Sequence, residues 1–164
     1  MKLHLGCGKR KIRLPGWVNV DIDPHVEPDV VDNVFSLLRF EKYGRESADL
    51  IYACHVLEHA GRHEYKAVLK RWHEVLKPGG VLRLAVPDLQ AVMDEYRSPT
   101  SGMELVQLPE YQLRGDLTKL LGFLYGGQRD EHDYHKMGWD EASLTRDLFE
   151  AGFSEVRRWD WRTT

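Results

Sequence analysis

The sequence is poor in cysteine and lacks both long apolar runs and a strong net charge. Its 164 residues include two cysteines, Cys7 and Cys54, so a disulfide framework is not expected and a reducing, cytoplasmic location is predicted. No stretch approaches the roughly 20 apolar residues of a transmembrane helix, so no membrane association is expected. The net charge of −3 argues against a protein that mainly binds phosphate backbones, so nucleic acid is an unexpected partner.

Internal repeats and low-complexity tracts are also absent, and the length fits one domain with a proper core. We expect a single domain over residues 1–164. Within it, residues 88–138 are predicted to form an inserted substrate or lid region, because the hydrophobic pattern loosens there and α/β enzymes often place lids on such insertions.

Hydrophobic periodicity predicts strands that alternate with helices. Strands are predicted over residues 3–5, 17–22, 29–31, 49–53, 81–87 and 153–161. Helices are predicted over residues 62–76, 89–96, 113–125 and 141–151. The strand, helix and strand between residues 49 and 87 have the lengths of a right-handed crossover, so we predict an α/β domain with a mostly parallel sheet and helices on both faces.

Two glycines follow the first strand, in the segment LHLGCGKR at residues 3–10. Gly6 and Gly8 carry no Cβ, so they allow a ligand to approach the backbone closely. The second strand, VNVDID at residues 18–23, ends in carboxylates. Since a carboxylate at this place can accept both hydrogen bonds of a ribose diol, the two segments predict a nucleotide or nucleoside site that includes Asp21.

With these elements placed, the sequence resembles the class I S-adenosylmethionine-dependent methyltransferases over most of that domain. Five segments carry the resemblance: LHLGCGKR (3–10), VNVDID (18–23), DLIYACHVLEH (49–59), VLKPGGVLRLAVPDL (75–89) and EAGFSEV (150–156). It is similar to small bacterial members associated with sugar and polysaccharide biosynthesis. The resemblance implies a Rossmann-like fold, S-adenosylmethionine as cofactor, and methyl transfer to a small-molecule or glycan hydroxyl.

The family pattern also implies cofactor-binding residues at the carboxyl ends of the strands. They are Gly6, Cys7, Gly8, Asp21, Ile22, Asp32, Asn33, Cys54 and His55. The glycines and Cys7 would contact the methionine part, Asp21 the ribose hydroxyls and Ile22 the adenine face. Asp32 and Asn33 stay open as alternatives for the adenine amine, and the last two residues of the set correspond to the methionine and sulfonium end.

Three features depart from the family pattern. His4 stands where many relatives carry an acidic residue, and Arg10 replaces a third glycine. The first crossover has room for barely one or two helical turns, and no N-terminal helix covers the cofactor. No sequence follows Thr164 for the family's seventh strand, so we expect either that the chain is truncated or that a partner or a six-stranded sheet replaces this strand. An exposed edge would favour pairing with another copy, so a homo-oligomer is one expectation.

A hydroxyl acceptor requires a base that takes its proton. The segment DEHDYH, residues 130–135, is dense in titratable groups, and it makes His135 the first candidate for this base and His132 the second. The same segment is alternatively a solvated loop. Asp88 and Asp133 are a further alternative, as ligands of a divalent ion, but the prediction we adopt has no metal.

Other functions fit parts of the sequence. His55, Glu58 and His59 match the H-x-x-E-H pattern of zinc peptidases, although the pattern begins at a strand end instead of within a helix. A module that binds S-adenosylmethionine without catalysis would accommodate the missing strand and cover. A nicotinamide dehydrogenase fits poorly, because its third glycine would fall at Lys11. The basic residues from 9 to 13 are either simply solvated or attract an anionic acceptor.

Overall fold

A parallel sheet forms the centre of the part of the chain that the structure describes. The structure is a computed structural model, and it describes residues 1–38, 45–97 and 116–159. Its strands are β1 (Lys2–Leu5), β2 (Trp17–Asp21), β3 (Val30–Val31), β4 (Ala48–Cys54) and β5 (Leu76–Ala85). They lie in the order β3-β2-β1-β4-β5 with every pairing parallel. The strand order reverses beside β1, and sheets of this kind bind ligands at the carboxyl ends next to such a reversal.

Four α-helices lie among the described residues. They are α1 (Tyr65–Val75), α2 (Leu89–Arg97), α3 (Leu117–Tyr125) and α4 (Glu141–Ala151). Helix α4 packs beside α1 and is capped at its start by Asp140, whose carboxylate accepts the Ser143 N–H at 2.7 Å. Gly152, with φ 110°, caps its end. In these ranges no helix has the length and apolar character that crossing a bilayer requires.

The two faces of the sheet differ in polarity. One face carries the fully buried side chains of Leu3, Leu5, Val20, Ile51 and Ala53, which share one buried cluster with α1. On the other face, His4 lies between Asn19 and Tyr52 on the neighbouring strands. The Nδ1 of His4 is 3.1 Å from the Oδ1 of Asn19, and its ring centre is 5.2 Å from that of Tyr52. His4 is therefore part of a buried polar row in the sheet.

The parallel sheet and its helices confirm the predicted fold class. The crossover from β1 to β2 contains turns and no helix within residues 6–16, as its short length predicts. Helix α1 begins at Tyr65, three residues after the predicted start. Strand β5 begins at Leu76 instead of residue 81, because residues 77–80 form an irregularity in its pairing with β4.

The strand predicted over residues 153–161 is wrong for its described part, since residues 153–159 form no strand. Side chains hold this segment against the sheet instead. The Nε1 of Trp159 donates to the Leu84 carbonyl at 3.4 Å, and the Arg83 guanidinium lies 5.9 Å from the Trp159 ring centre. Residues 160 and 161, the first residues of the helix predicted from 113, and the loop predicted at 98–102 lie outside the described residues.

Candidate functional site

The turn after β1, residues 6–8, is called the glycine turn below. Gly6 has φ 61° and Gly8 has φ 50°, a left-handed conformation that glycine adopts without a steric penalty. A Cβ added at Gly6 would lie 2.5 Å from the Cγ2 of Val56, whereas a Cβ at Gly8 would have no atom of the described residues within 4 Å. The turn is therefore tightly packed at Gly6 and open at Gly8, which leaves room for a ligand there.

Asp21, at the end of β2, is fixed by the glycine turn. Its Oδ2 accepts the Gly8 N–H at 2.8 Å, and its Oδ1 accepts the Asp23 N–H at 3.0 Å. Each carboxylate oxygen retains a further lone pair, so Asp21 can still accept hydrogen bonds from a diol. The two amides hold the carboxylate in place without a ligand.

The residues that are candidates for contacting the adenine lie beside Asp21 at the end of β2. Ile22 is 39% exposed and offers an apolar surface to a flat ring. Asp32 is buried, and its backbone N–H donates to the Asp21 carbonyl at 2.9 Å. Asn33 is exposed, and its Oδ1 accepts the Phe35 N–H at 2.9 Å. Both polar candidates therefore adjoin the end of β2, and the choice between them stays open.

Both cysteines lie near the carboxyl ends of the strands as free thiols. Burial and the nearby Asp21 charge raise the pKa of Cys7 to about 11. Burial also raises the pKa of Cys54, although a hydrogen bond with Tyr52 acts in the opposite direction. Because the thiolate is the reactive form, these side chains are suited to lining a site and not to attacking a substrate.

His55 follows β4 in a strained backbone conformation. Its φ is 55°, which is uncommon for a residue other than glycine. Its N–H donates to the Ala85 carbonyl at 2.9 Å, and its Nδ1 lies 3.1 Å from the Oε1 of Glu58. The hydrogen bond with Glu58 raises the pKa of His55. Strain of this kind is found preferentially at functional sites.

Glu58 lies in the short 3-10 turn Leu57–His59 and is 0% exposed. Its Oε1 contacts His55, whereas its Oε2 has no hydrogen-bond partner among the described residues. The Glu58 carbonyl accepts the N–H groups of Lys136 and Met137 at 2.7 and 3.1 Å. These two bonds bring the segment that carries His135 onto the turn.

His59 and His135 meet beside Glu58, and we call these three residues the histidine cluster. The two ring centres are 5.0 Å apart. The Nδ1 of His59 is 3.0 Å from the Tyr134 carbonyl, and the Nδ1 of His135 is 2.8 Å from the Phe123 carbonyl. Carbonyl oxygens only accept, so we assign the proton to each Nδ1, which leaves a lone pair on each Nε2.

The two candidate bases occupy different surroundings. His135 is half-buried and belongs to the histidine cluster. His132 is exposed, and its Nε2 lies 3.7 Å from the Glu131 carboxylate. His135 is thus held in one orientation, whereas His132 faces solvent.

Of the metal-binding residues considered from the sequence, the structure brings together Glu58 and His59 but not the others. Asp133 pairs with Arg129 at 2.7 Å, and Asp88 has no place in a potential metal-binding group of the described residues. His55 is likewise outside that group, which consists of Glu58, His59 and His135. Sequence reasoning had named all three, but it missed their convergence because His135 reaches the others only through the fold.

A groove of about 830 Å³ opens between the end of β3 and α1. It shares only Asn33 with the predicted cofactor residues, and charged side chains such as Arg71 and Glu74 line it. These two are 3.7 Å apart and neutralise each other. The groove therefore adjoins the candidate site without containing the glycine turn.

Comparisons with known proteins place this geometry in context. The model of a protein family described as "Methyltransferase domain" matches residues 3–84, which is half of the chain and includes the glycine turn, Asp21 and Glu58. The curated proteins contain no match to the sequence.

Two solved structures share the fold. A SAM-dependent methyltransferase from Archaeoglobus fulgidus is 15% identical, with a TM-score of 0.56 over 95% of this chain and 62% of that one. The trans-methyltransferase CalH, in complex with SAH, is 17% identical, with a TM-score of 0.53 over 93% of this chain and 44% of that one. The chain therefore spans less than two thirds of the length of either structure.

Proposed function

Since the chain belongs to the methyltransferase domain family, we propose that it is an S-adenosylmethionine-dependent methyltransferase. The main support is the joint placement of the open position at Gly8 and the carboxylate of Asp21, 2.8 Å from the Gly8 nitrogen. The presence of SAH in the related CalH structure adds to it. The alternative is a module that binds the cofactor without methyl transfer, and the turnover assay described below distinguishes the two.

The side chains at this edge fit an adenosyl group. Asp21 offers two oriented oxygens to a ribose diol, and Ile22 offers an apolar face to adenine. Either Asp32 or Asn33 would contact the adenine amine. Cys54 and His55, at the end of β4, would line the methionine end together with the glycine turn.

When bound, S-adenosylmethionine supplies a methyl group made electrophilic by its positively charged sulfur. The chain then has to hold the acceptor in line with that methyl group and exclude water. We assign both tasks to the region 88–138, whose residues Lys136 and Met137 donate to the Glu58 carbonyl just beyond the end of β4. This region is the proposed lid.

The proposed acceptor is a small-molecule or glycan hydroxyl. Lys9 and Arg10 are exposed beside the glycine turn and would attract an anionic acceptor such as a nucleotide sugar. His135 and His132 are the proposed bases for the hydroxyl proton. The free cysteines support a cytoplasmic location.

Calorimetry with S-adenosylmethionine and S-adenosylhomocysteine tests the cofactor. The wild-type chain should bind both ligands, and Asp21→Ala should weaken binding at least tenfold because the diol loses a charged acceptor. Asp49→Asn is the matched control. Asp49 lies at the amino end of β4, where it pairs with Lys77 at 2.7 Å and with the amino terminus, so its replacement should leave the affinity unchanged.

Unchanged affinity in Asp21→Ala, or no binding by the wild type, would overturn the proposed cofactor site. A turnover assay on candidate sugars then separates an enzyme from a binding module. His135→Ala should lower turnover and leave cofactor affinity nearly intact.

A further inference from the structure

We propose that Glu58, His59 and His135 form a binding site for a divalent transition-metal ion. Each residue offers one ligand atom, and the three atoms lie within 4.8 Å of one another. Bonds to such an ion measure about 2.0–2.2 Å, so filled sites hold their ligands at most about 4.4 Å apart. An ion would therefore draw the three ligand atoms closer together than they lie here. The inference rests on these contacts and is independent of the proposed cofactor.

The buried carboxylate of Glu58 is a second, independent indication of a bound cation. Its side chain is 0% exposed, and Oε2 has no hydrogen-bond partner in residues 1–38, 45–97 and 116–159. An unpartnered carboxylate oxygen in the interior is costly and seldom kept without a purpose. A cation in contact with Glu58 would compensate its charge.

The histidines are already oriented as metal ligands usually are. A metal-bound histidine generally donates its second ring N–H to a carbonyl or carboxylate, which fixes the ring. His59 and His135 each direct Nδ1 at a backbone carbonyl, at 3.0 and 2.8 Å, so Nε2 is available for a bond. His55 lies outside the cluster and orients Glu58, because its Nδ1 is 3.1 Å from the Oε1 of Glu58.

The donor set selects the class of ion. Two imidazoles favour zinc, iron, cobalt and nickel, whereas magnesium and calcium prefer sites made of oxygen atoms. Three protein ligands also leave at least one coordination position for a water molecule or an acceptor oxygen. An acceptor hydroxyl bound there would lose its proton more easily.

A metal ion at this site changes which residue can act as the base. An Nε2 lone pair that binds a metal cannot also accept a proton, so with a metal bound His135 acts as a ligand and His132 is the remaining proposed base.

Cobalt titration of the chelator-treated full chain tests the inference. The wild type should bind one equivalent of Co²⁺, followed by the visible absorption of the ion, and Zn²⁺ should displace it. Glu58→Gln, His59→Ala and His135→Ala should each weaken binding at least about tenfold, and His55→Ala should also weaken it, since removal of a residue that orients a ligand costs about 10–100-fold. His63→Ala, an exposed histidine outside the cluster, is the matched control and should bind like the wild type.

Absence of stoichiometric Co²⁺ binding by the wild type would overturn the inference, as would wild-type affinity in His135→Ala. Circular dichroism checks that each variant is folded, and His135→Ala, at a half-buried position, remains informative if Glu58→Gln fails to fold. Cofactor calorimetry on the same samples separates the two proposals. Intact cofactor binding without metal binding would overturn the metal site alone.

Discussion

The glycine turn and the histidine cluster lie at the same end of the sheet but are built in different ways. Two bonds from the glycine turn to the end of β2 hold it: the Cys7 N–H donates to the Val20 carbonyl at 3.2 Å, and the Gly8 N–H donates to the Asp21 carboxylate at 2.8 Å. The histidine cluster joins one turn after β4 to a segment that arrives from beyond α3, and the Glu58 carbonyl ties the two together. The proposed cofactor side thus depends on local chain geometry, whereas the proposed acceptor side depends on long-range packing.

The largest effect is expected from Gly6→Ala, which breaks the local geometry. A side chain at this positive φ costs about 1–2 kcal/mol, and the overlap with Val56 adds about 1–3 kcal/mol of overpacking. The free energy of unfolding should therefore fall by about 2–5 kcal/mol, as measured by urea denaturation. Cofactor binding should be lost at the same time, because the turn carries Gly8.

Gly8→Ala is the control for that experiment. It introduces the same backbone strain, and its Cβ would meet no atom of the described chain within 4 Å, so it should destabilise by only about 1–2 kcal/mol. Equal losses in the two variants would show that packing on Val56 contributes nothing. In the Gly6→Ala background, Val56→Ala should recover part of the stability.

The same contrast explains what the sequence could predict. Short segments of the sequence are enough to show the two glycines, Asp21 and the alternation of strands and helices. These features therefore predict the fold class. The extra length of β5 depends on its pairing with β4. Residues 153–159 form no strand, and they contact β5 through Trp159, which is a long-range contact that no local pattern specifies. His135 was found as a titratable residue, but its meeting with Glu58 follows from backbone bonds that no local pattern specifies.

A smaller effect is expected from Trp139→Phe, which acts on the long-range side. Trp139 is 2% exposed and lies at the end of the segment that carries His135. Its Nε1 donates to the buried Asp147 at 3.0 Å, and its carbonyl accepts the Leu89 N–H at 2.9 Å. Loss of the indole donor should lower the free energy of unfolding by about 1–3 kcal/mol, because Asp147 stays buried with one partner fewer.

The ligand measurements distinguish the two sides of the site in this variant. Trp139→Phe should weaken Co²⁺ binding more than cofactor binding, since it loosens the anchor of His135 and leaves the glycine turn untouched. Trp159→Phe, which removes a longer hydrogen bond of 3.4 Å to β5, should affect neither. If Trp139→Phe lowers the affinities for Co²⁺ and for the cofactor equally, the two sides of the site form one cooperative unit.

The smallest effect concerns His4, which lies below the glycine turn, and it appears only as the pH changes. Burial lowers the pKa of His4, although the hydrogen bond with Asn19 and the charge of Asp21 act in the opposite direction. In the unfolded chain histidine takes up its proton near pH 6.5. As the pH falls below this value, the unfolded state binds the proton first, so the stability of the folded state should decrease until the lower folded pKa is passed.

His4→Gln removes this titration and keeps a polar side chain in the row. The variant should be less stable than the wild type at pH 7.5, because the contacts with Asn19 and Tyr52 are altered, and the difference in urea midpoint should narrow as the pH is lowered toward 5. His63→Gln, at an exposed position, should follow the wild type throughout. A constant difference between the His4→Gln and wild-type midpoints would show that His4 is not held neutral by burial, and the polar row would then be more open to water than the sheet geometry indicates.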